Sequence, residues 1–404
     1  MKFDADIVIA GTGPAGLLAA LALAQAGLSA ILVGPPVNTG DRRTTALMKP
    51  SLDFLDGLGV LDAVKEGSAP LRVMRIADAT SRLLRSPVVS FRAAEIGEEY
   101  FGLNIPNRNM LPALDAAVKA NDGIRIETSI VAHWHPLEDG IQAELENGKI
   151  ITAKLAVAAD GRLSPAREAA GISVRTASTG QSALVLDFAH TRPHDDTSTE
   201  FHTEHGPFTV VPLPGMRSSL VWVSRPHRAE ELKALPDAEL SRLIEERMQS
   251  MLGRVEVSPG RQVYPLNVTL PARFAANRIA LVGEAAHVFP PIGAQGLNLG
   301  IRDVEGLVKM ARRYPADPGA PAALSYYDRL RRPDIIARSS AVDLLNRSLM
   351  ADALPVQFVR TAGLNLLGAV PPLRNFFMRE GLRTGAGIMS LFRERGPVAR
   401  FRSE

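Results

Sequence analysis

The stretch from Asp6 to Val33 restricts what this chain can fold into more than any other. Asp6 to Ala10 (DIVIA) predicts a short buried strand. Gly11-Thr12-Gly13-Pro14-Ala15-Gly16 follows, and the apolar run from Leu17 to Ala26 predicts a helix that Gly27 stops. Ala30-Ile31-Leu32-Val33 predicts a second strand. Strand, glycine turn and helix in that order form the βαβ dinucleotide fingerprint in the context it requires. The first glycine allows the tight turn, the second lets backbone approach a pyrophosphate, and the third lets helix and strand pack closely. The pyrophosphate would rest on the helix N-terminus, where free N–H groups and the helix dipole favour an anion.

A membrane-spanning helix or signal peptide is the other reading of this nearly uncharged stretch. Three glycines and a proline early in the run argue against a spanning helix, and Lys2 with Asp4 and Asp6 is not a basic start. One position departs from the fingerprint. The second strand ends in Gly34, where an acidic residue for the adenosine ribose is usual, and Asp41 is the next carboxylate. The ribose partner stays open.

A chain of 404 residues can bury a large core in two domains or one elaborated domain. Its 46% hydrophobic and 22% charged residues are those of a soluble globular protein, and a net charge of +3 is too small for a nucleic-acid binder. The absence of cysteine excludes disulfides, thiolate metal sites and cysteine nucleophiles, and no metal site is expected. With no signal peptide in view, a cytoplasmic location is the expectation.

Further along, Arg42 and Arg43 stand where they could pair with the pyrophosphate, ahead of a helix predicted from about Ser51 to Leu58. Residues 71–95 predict strand hairpins, and Asn104 to Lys119 a helix with Leu111, Leu114, Ala117 and Val118 on one face. Ile124 to Val131, Ile141 to Glu146 and Ile150 to Ala158 predict three strands, the last two joined through Asn147-Gly148. They lead to Asp160-Gly161, a second place where backbone could meet a nucleotide. Residues 183–225 alternate as an antiparallel sheet with one face free to cover a ligand. Pro236 to Met251 predicts an amphipathic helix and Val263 to Leu266 a strand.

A third signal runs from Arg278 to Asp303. Ile279 to Gly283 is a buried strand, and a proline-rich loop then opens a helix running past Met310. That is another anion-accepting helix start. His287 reads as a structural histidine more readily than a catalytic one. From Asp334 the chain is predicted helical. In its last fifty residues Phe358, Leu364, Phe376, Phe377, Met378 and Phe392 alternate with Arg360, Arg374, Arg379, Arg383 and Arg393. That tail is either a packed helical pair or a surface for anionic lipid or a partner protein.

Three motifs therefore stand in order: GTGPAG at Gly11–Gly16, DGRLSPAR at Asp160–Arg167, and GEAAHVFPPIGAQGLNLGIRD at Gly283–Asp303. Over nearly the whole chain the trio resembles the FAD-dependent aromatic-ring monooxygenases of the p-hydroxybenzoate hydroxylase fold. Within that group, Arg43-Thr44-Thr45-Ala46-Leu47, Tyr264-Pro265-Leu266 and the tail Asp343, Asn346, Arg360, Gly363-Leu364 resemble the ring hydroxylases of ubiquinone biosynthesis. Glu284 stands where the family usually has Asp, and Gly293-Ala294 where Ala-Gly is usual. A longer carboxylate can still accept hydrogen bonds from ribityl hydroxyls.

The resemblance implies an α/β fold: a Rossmann-like FAD-binding domain interleaved with a mixed or antiparallel-sheet substrate domain, plus a C-terminal helical region. The FAD-binding domain would comprise 1–72, 101–178 and 277–335, the substrate domain 73–100 and 179–276, and the helical region 336–404. FAD would lie with its pyrophosphate at Gly11, Gly13, Pro14, Ala15 and Gly16, beside Arg42 and Arg43. Its ribityl chain would lie near Asp160, Gly161, Gly283 and Glu284, with Asn104 and Arg108 along its middle. Pro291, Gly296, Leu297 and Asn298 would adjoin the flavin ring, Pro291 and Gly296 shaping the catalytic loop. NADH or NADPH would reduce the flavin, O₂ would add at C4a, and the hydroperoxide would hydroxylate an electron-rich ring.

The implied substrate is a phenol carrying a polyprenyl tail, delivered from the inner face of a membrane, with other ubiquinone-pathway proteins as partners of the C-terminal region. No residue type identifies the base; His202, His205 and Tyr264 are the candidates. Rival readings are a hydroxylase of a small soluble phenol and a non-catalytic FAD-retaining subunit of a biosynthetic complex. The paired tryptophans of flavin-dependent halogenases are missing, since Trp134 and Trp222 are far apart.

Overall fold

A strand as apolar as Ala5–Ala10 must be covered on both faces, and the chain places it in the middle of a sheet. Ile150–Ala158 and Ala30–Gly34 flank it, both parallel to it, and Ile7, Val8 and Ile9 are fully buried. The computed structural model describes residues 2–41, 43–80, 87–290, 295–350 and 370–382. Across this first sheet the order is Ala275–Ala276, Ile279–Leu281, Ile150–Ala158, Ala5–Ala10, Ala30–Gly34 and Ile124–Thr128. Ile141–Leu145 pairs antiparallel with Ile150–Ala158 through the expected Asn147-Gly148 turn, where Gly148 takes φ +80°.

The helix Pro14–Gln25 is buried from Gly16 through Leu23, packed against helices Asn107–Lys119 and Gln295–Arg313. Its apolar character is that of a core helix, and twelve residues are too few to span a bilayer. Among the described residues no helix is long and apolar enough to cross a membrane.

A second sheet is built around Val174–His190, seventeen residues long. Its order is Val255–Val257, Val174–His190, Arg217–Ser224, Gly206–Leu213, Thr197–Thr203, Val73–Asp78 and Val89–Arg92, with Gln262–Pro271 also paired to the long strand. All neighbours are antiparallel except Val73–Asp78 and Thr197–Thr203. Alternation gives the sheet two faces. Leu184, Leu186, Phe188, Phe208, Leu220 and Trp222 form one, in a core with Leu232 and Leu240 of helices Pro226–Ala234 and Asp237–Arg247. Ala183, Val185, Val221, Val223 and Leu266 form the other. A small third sheet, Thr44–Met48, Gly102–Pro106 and Ala69–Leu71, touches strand Gly206–Leu213 of the second.

Several boundaries differ from expectation. Asn104 belongs to strand Gly102–Pro106, and the helix begins at Asn107. Pro106 disfavours the helical region for Ile105, which holds the segment extended. The run Ile124 to Val131 ends as a strand at Thr128, and Val131–Pro136 is a separate strand. Thr197–Thr203 falls within the run 183–225 expected to form strands, but its polar residues set no bounds for it, and it pairs parallel with Val73–Asp78 instead of antiparallel. The helix expected from Asp334 begins earlier, at Pro321, and is described to Met350.

Of the arginine-rich tail, helix Pro371–Leu382 is described. Its Met378 is buried with Ala93, Ile96 and Phe101, and Arg374 Nε donates to Glu95 Oε2 at 2.8 Å. Arg360, Gly363, Leu364, Phe358 and Phe392 lie outside the described residues.

Candidate cofactor site and the cavity beside it

Parallel strands present their carboxyl ends on one edge, which is where open α/β sheets take ligands. Three of the chain's turns meet there. Gly11, at φ +114°, follows the first strand, and a Cβ on it would lie 2.2 Å from Ala159 O. A Cβ on Gly16 would lie 1.9 Å from Gly11 O, so this turn closes only on glycine. A Cβ on Gly283 would come within 3.0 Å of Ala15 Cβ, which joins the third motif to the first. Gly13 differs: it caps helix Pro14–Gln25 with extended backbone, and a Cβ there would meet nothing within 4 Å. The closed glycines build the turn and the open one leaves backbone N–H groups accessible, as a bound pyrophosphate requires.

The second motif supplies an unsatisfied acceptor. Asp160 Oδ2 accepts from Ala166 N at 3.1 Å, while its Oδ1 is buried with no hydrogen-bond partner. Burial pushes its carboxyl above the ordinary aspartate range, although Ser164 and the Ala166 amide pull the other way. An orphaned buried carboxylate oxygen at the end of Ile150–Ala158 fits a ligand hydroxyl. Gly161 beside it takes φ +86°. Glu284 is exposed and clamped by Arg162, with Nε 3.1 Å and Nη2 3.3 Å from its two oxygens. Arg167 is buried and donates to Ala285 O and Arg162 O, tying the second motif to the third.

Beneath the third motif lies a buried ionic cluster. Asp303 is wholly buried and accepts from Gly283 N at 2.9 Å, His287 Nε2 at 2.8 Å and Arg331 Nε at 2.7 Å. Burial opposes its charge, but His287 and Arg331 outweigh that and hold its carboxyl below the ordinary range. His287 Nε2 is thus engaged by Asp303 within the protein. Asn298 is also committed within the protein. Its Oδ1 accepts from Met48 N and Ser51 Oγ, and its Nδ2 donates to Ala46 O. Gly296 and Leu297 lie in the first turn of Gln295–Arg313, Gly296 exposed. Arg42 and Pro291 lie outside the described residues.

Arg43 does not stand free. Its guanidinium grips Asp41, with Nη2 2.7 Å from Oδ2, and Asn107 Nδ2 donates to the same oxygen at 2.9 Å. Burial works against the Asp41 charge, but these bonds prevail and lower its pKa. Arg43 and Arg108 line a cavity of about 560 Å³ whose other wall includes Val185, Asp187, Arg217 and Gln262. The cavity therefore lies between the first half of the chain and the second sheet. Asn104, buried, bridges the same gap by donating to Pro212 O at 2.9 Å, and Thr44 Oγ1 reaches Ser219 Oγ at 3.2 Å.

The three candidate bases are not brought together. Tyr264 and His202 sit on strands four places apart, about 19 Å at the usual strand spacing. Tyr264 contacts Gln262 Oε1, and His205 is exposed at a hairpin turn. His202 is buried, with Nε2 3.0 Å from Glu200 Oε1. Residues paired across an antiparallel sheet share a face, which puts Glu200 with Thr209, Val221 and Val185. Sequence reasoning missed Glu200 because the bounds of its strand were not set; two residues apart on a strand is the signal that would have found it.

Residues 4–337 match the family model described as an FAD binding domain. The ubiquinone hydroxylase UbiL of Rhodospirillum rubrum is 34% identical over 94% of this chain and 90% of its own. The 3-demethoxyubiquinol 3-hydroxylase of Escherichia coli is 31% identical over 89% of this chain and 93% of its own. The crystal structure of p-nitrophenol 4-monooxygenase PnpA from Pseudomonas putida DLL-E4 superposes with a TM-score of 0.76 at 20% identity, covering 95% of this chain and 97% of that one. The expected α/β architecture is the one that structure has.

Proposed function

The chain belongs to the FAD-binding domain family of flavin-dependent monooxygenases, and from that premise we propose that it hydroxylates the ring of a prenylated phenol in ubiquinone biosynthesis. It is an FAD-dependent aromatic hydroxylase that uses NADH or NADPH and O₂. The observation that carries the site is the meeting of three glycine-bearing turns around the open N-terminus at Gly13, beside the unpartnered Asp160 Oδ1.

When bound, FAD supplies the oxygen-activating chemistry once a nicotinamide has reduced it. The chain's own residues bind, orient and exclude water. The Gly11–Gly16 turn holds the pyrophosphate, and Asp160 with Glu284 accepts hydroxyls of the ribityl chain. Arg43 and Arg108 face the cofactor from the cavity side, and Gly296 and Leu297 present a helix N-terminus to its ring. The apolar face of Ala183, Val185, Val221, Val223 and Leu266 forms the dry wall of the substrate pocket. His202, oriented by Glu200, accepts the phenol proton. This reading divides the chain into an FAD-binding domain (1–72, 101–178, 277–335), a substrate domain (73–100, 179–276) and a C-terminal helical region (336–404). That last region would meet the membrane surface or pathway proteins from which a polyprenyl substrate arrives.

Mass analysis of quinones from cells lacking this gene tests the reading. An accumulated prenylphenol one oxygen short is expected; unchanged quinone with no such intermediate, in cells without a second hydroxylase, would sink it. A second reading has its own observation. Arg108 and Arg217, with the Asp41-paired Arg43, line the cavity beside Asp187, and this basic lining suits a small aromatic acid. Stimulation of NAD(P)H oxidation by a phenolic acid and not by a prenylphenol would favour it.

A further inference from the structure

The end of strand Ala30–Gly34 is where a dinucleotide fold ordinarily places a carboxylate to accept from the adenosine ribose. Gly34 is buried there, and the space in front of it is already filled. A Cβ at residue 34 would lie 2.7 Å from Thr12 Cγ2, 3.0 Å from Thr12 N and 3.1 Å from Thr12 Oγ1. The first of these distances is closer than real Cβ contacts reach, and the others leave no slack. Thr12 cannot simply rotate away at no cost, because its Oγ1 donates to Pro35 O at 2.7 Å. That hydrogen bond fastens the glycine turn to the residue after the second strand.

The next carboxylate offers no substitute. Asp41 is bonded by Arg43 Nε, Arg43 Nη2, the Arg43 amide and Asn107 Nδ2, and its side chain is 8% exposed. Releasing it would leave the Arg43 guanidinium and the buried Asn107 amide without their shared acceptor.

We propose that Thr12 and Gly34 are a coupled pair that has replaced the ribose-holding carboxylate, so that this chain binds the adenosine end of its dinucleotide without one. The pair rests on the reading of Gly11–Gly16 as the FAD site. Thr12 excludes any side chain at 34, and a small residue at 34 is what makes room for the Thr12–Pro35 bond. Reinstating the acid therefore needs two changes, not one.

Apoprotein titrated with FAD, followed by flavin fluorescence, tests this in a cycle of wild type, T12G, G34E and T12G/G34E. G34E is expected to bind FAD about tenfold more weakly than wild type, and the double variant to recover at least that factor. ADP and 2′,3′-dideoxy-ADP, used as competitors of FAD, give a readout on the wild type that no folding defect can blur. Wild type should bind the two within about threefold, while T12G/G34E should prefer ADP by about tenfold, one charge-assisted hydrogen bond's worth. Strong preference of wild type for ADP, or G34E binding FAD as wild type does, would overturn the proposal. Wild-type apoprotein that takes up no FAD would instead overturn the site reading on which it rests.

Discussion

Single residues carry the charges that decide how the site responds to pH. Asp303 is ionised, buried and held below the ordinary carboxylate range, so its contribution to stability is present above about pH 3.9 and is lost as pH falls through its lower folded value. Asp303→Asn leaves His287 and Arg331 facing a neutral group and should cost about 3–5 kcal/mol in urea unfolding at pH 7. The gap between variant and wild type should narrow as the pH is lowered past 4. Asp160 has the opposite sign. Its folded pKa is raised, so its charge costs the cofactor-free protein stability above about pH 3.9. Asp160→Asn should leave the cofactor-free melting temperature at pH 7 equal or higher. FAD should bind about ten- to a hundredfold more weakly, because a charge-assisted hydrogen bond to Oδ1 is gone. FAD affinity of wild type should also fall on acidification while that of the variant stays flat; equal pH profiles would show that Asp160 does not meet the cofactor.

At the scale of one element, the glycine turn separates folding from binding. Gly16→Ala drives a Cβ into Gly11 O and should cost about 3 kcal/mol or more, seen as lost expression or a collapsed melting transition. Gly13→Ala meets no protein atom and keeps its φ of −74°, so the fold should survive nearly unchanged. Yet FAD affinity should drop about tenfold, since the methyl projects where a pyrophosphate must approach. If Gly13→Ala binds FAD as tightly as wild type, the cofactor does not use this turn. The turn was legible in the sequence because its glycines, flanking strand and helix are contiguous. The bounds of strand Thr197–Thr203 were not, for want of apolar alternation, and with them went Glu200 and its contact with His202.

Across the whole molecule, buried Asn104 ties the small sheet to the second large sheet through Pro212. Asn104→Ala removes the donor to Pro212 O and should cost about 1–3 kcal/mol of stability. It should also loosen the cavity between Arg43 and Asp187, read as faster quenching of bound flavin fluorescence by iodide. Unaltered stability and quenching would mean that other contacts set the spacing of the sheets. The sequence by itself determined the dinucleotide fold of the first strand and helix, the order of the three motifs and the family, because each rests on neighbours in the chain. That Asn104 lies on a strand, that Arg43 is taken by Asp41, that Asn298 is spent on Ala46, Met48 and Ser51, and that Thr12 fills the space before Gly34 were decided only by tertiary structure. Those outcomes depend on groups brought together from distant parts of the chain, and a buried polar group takes whichever partner packing supplies.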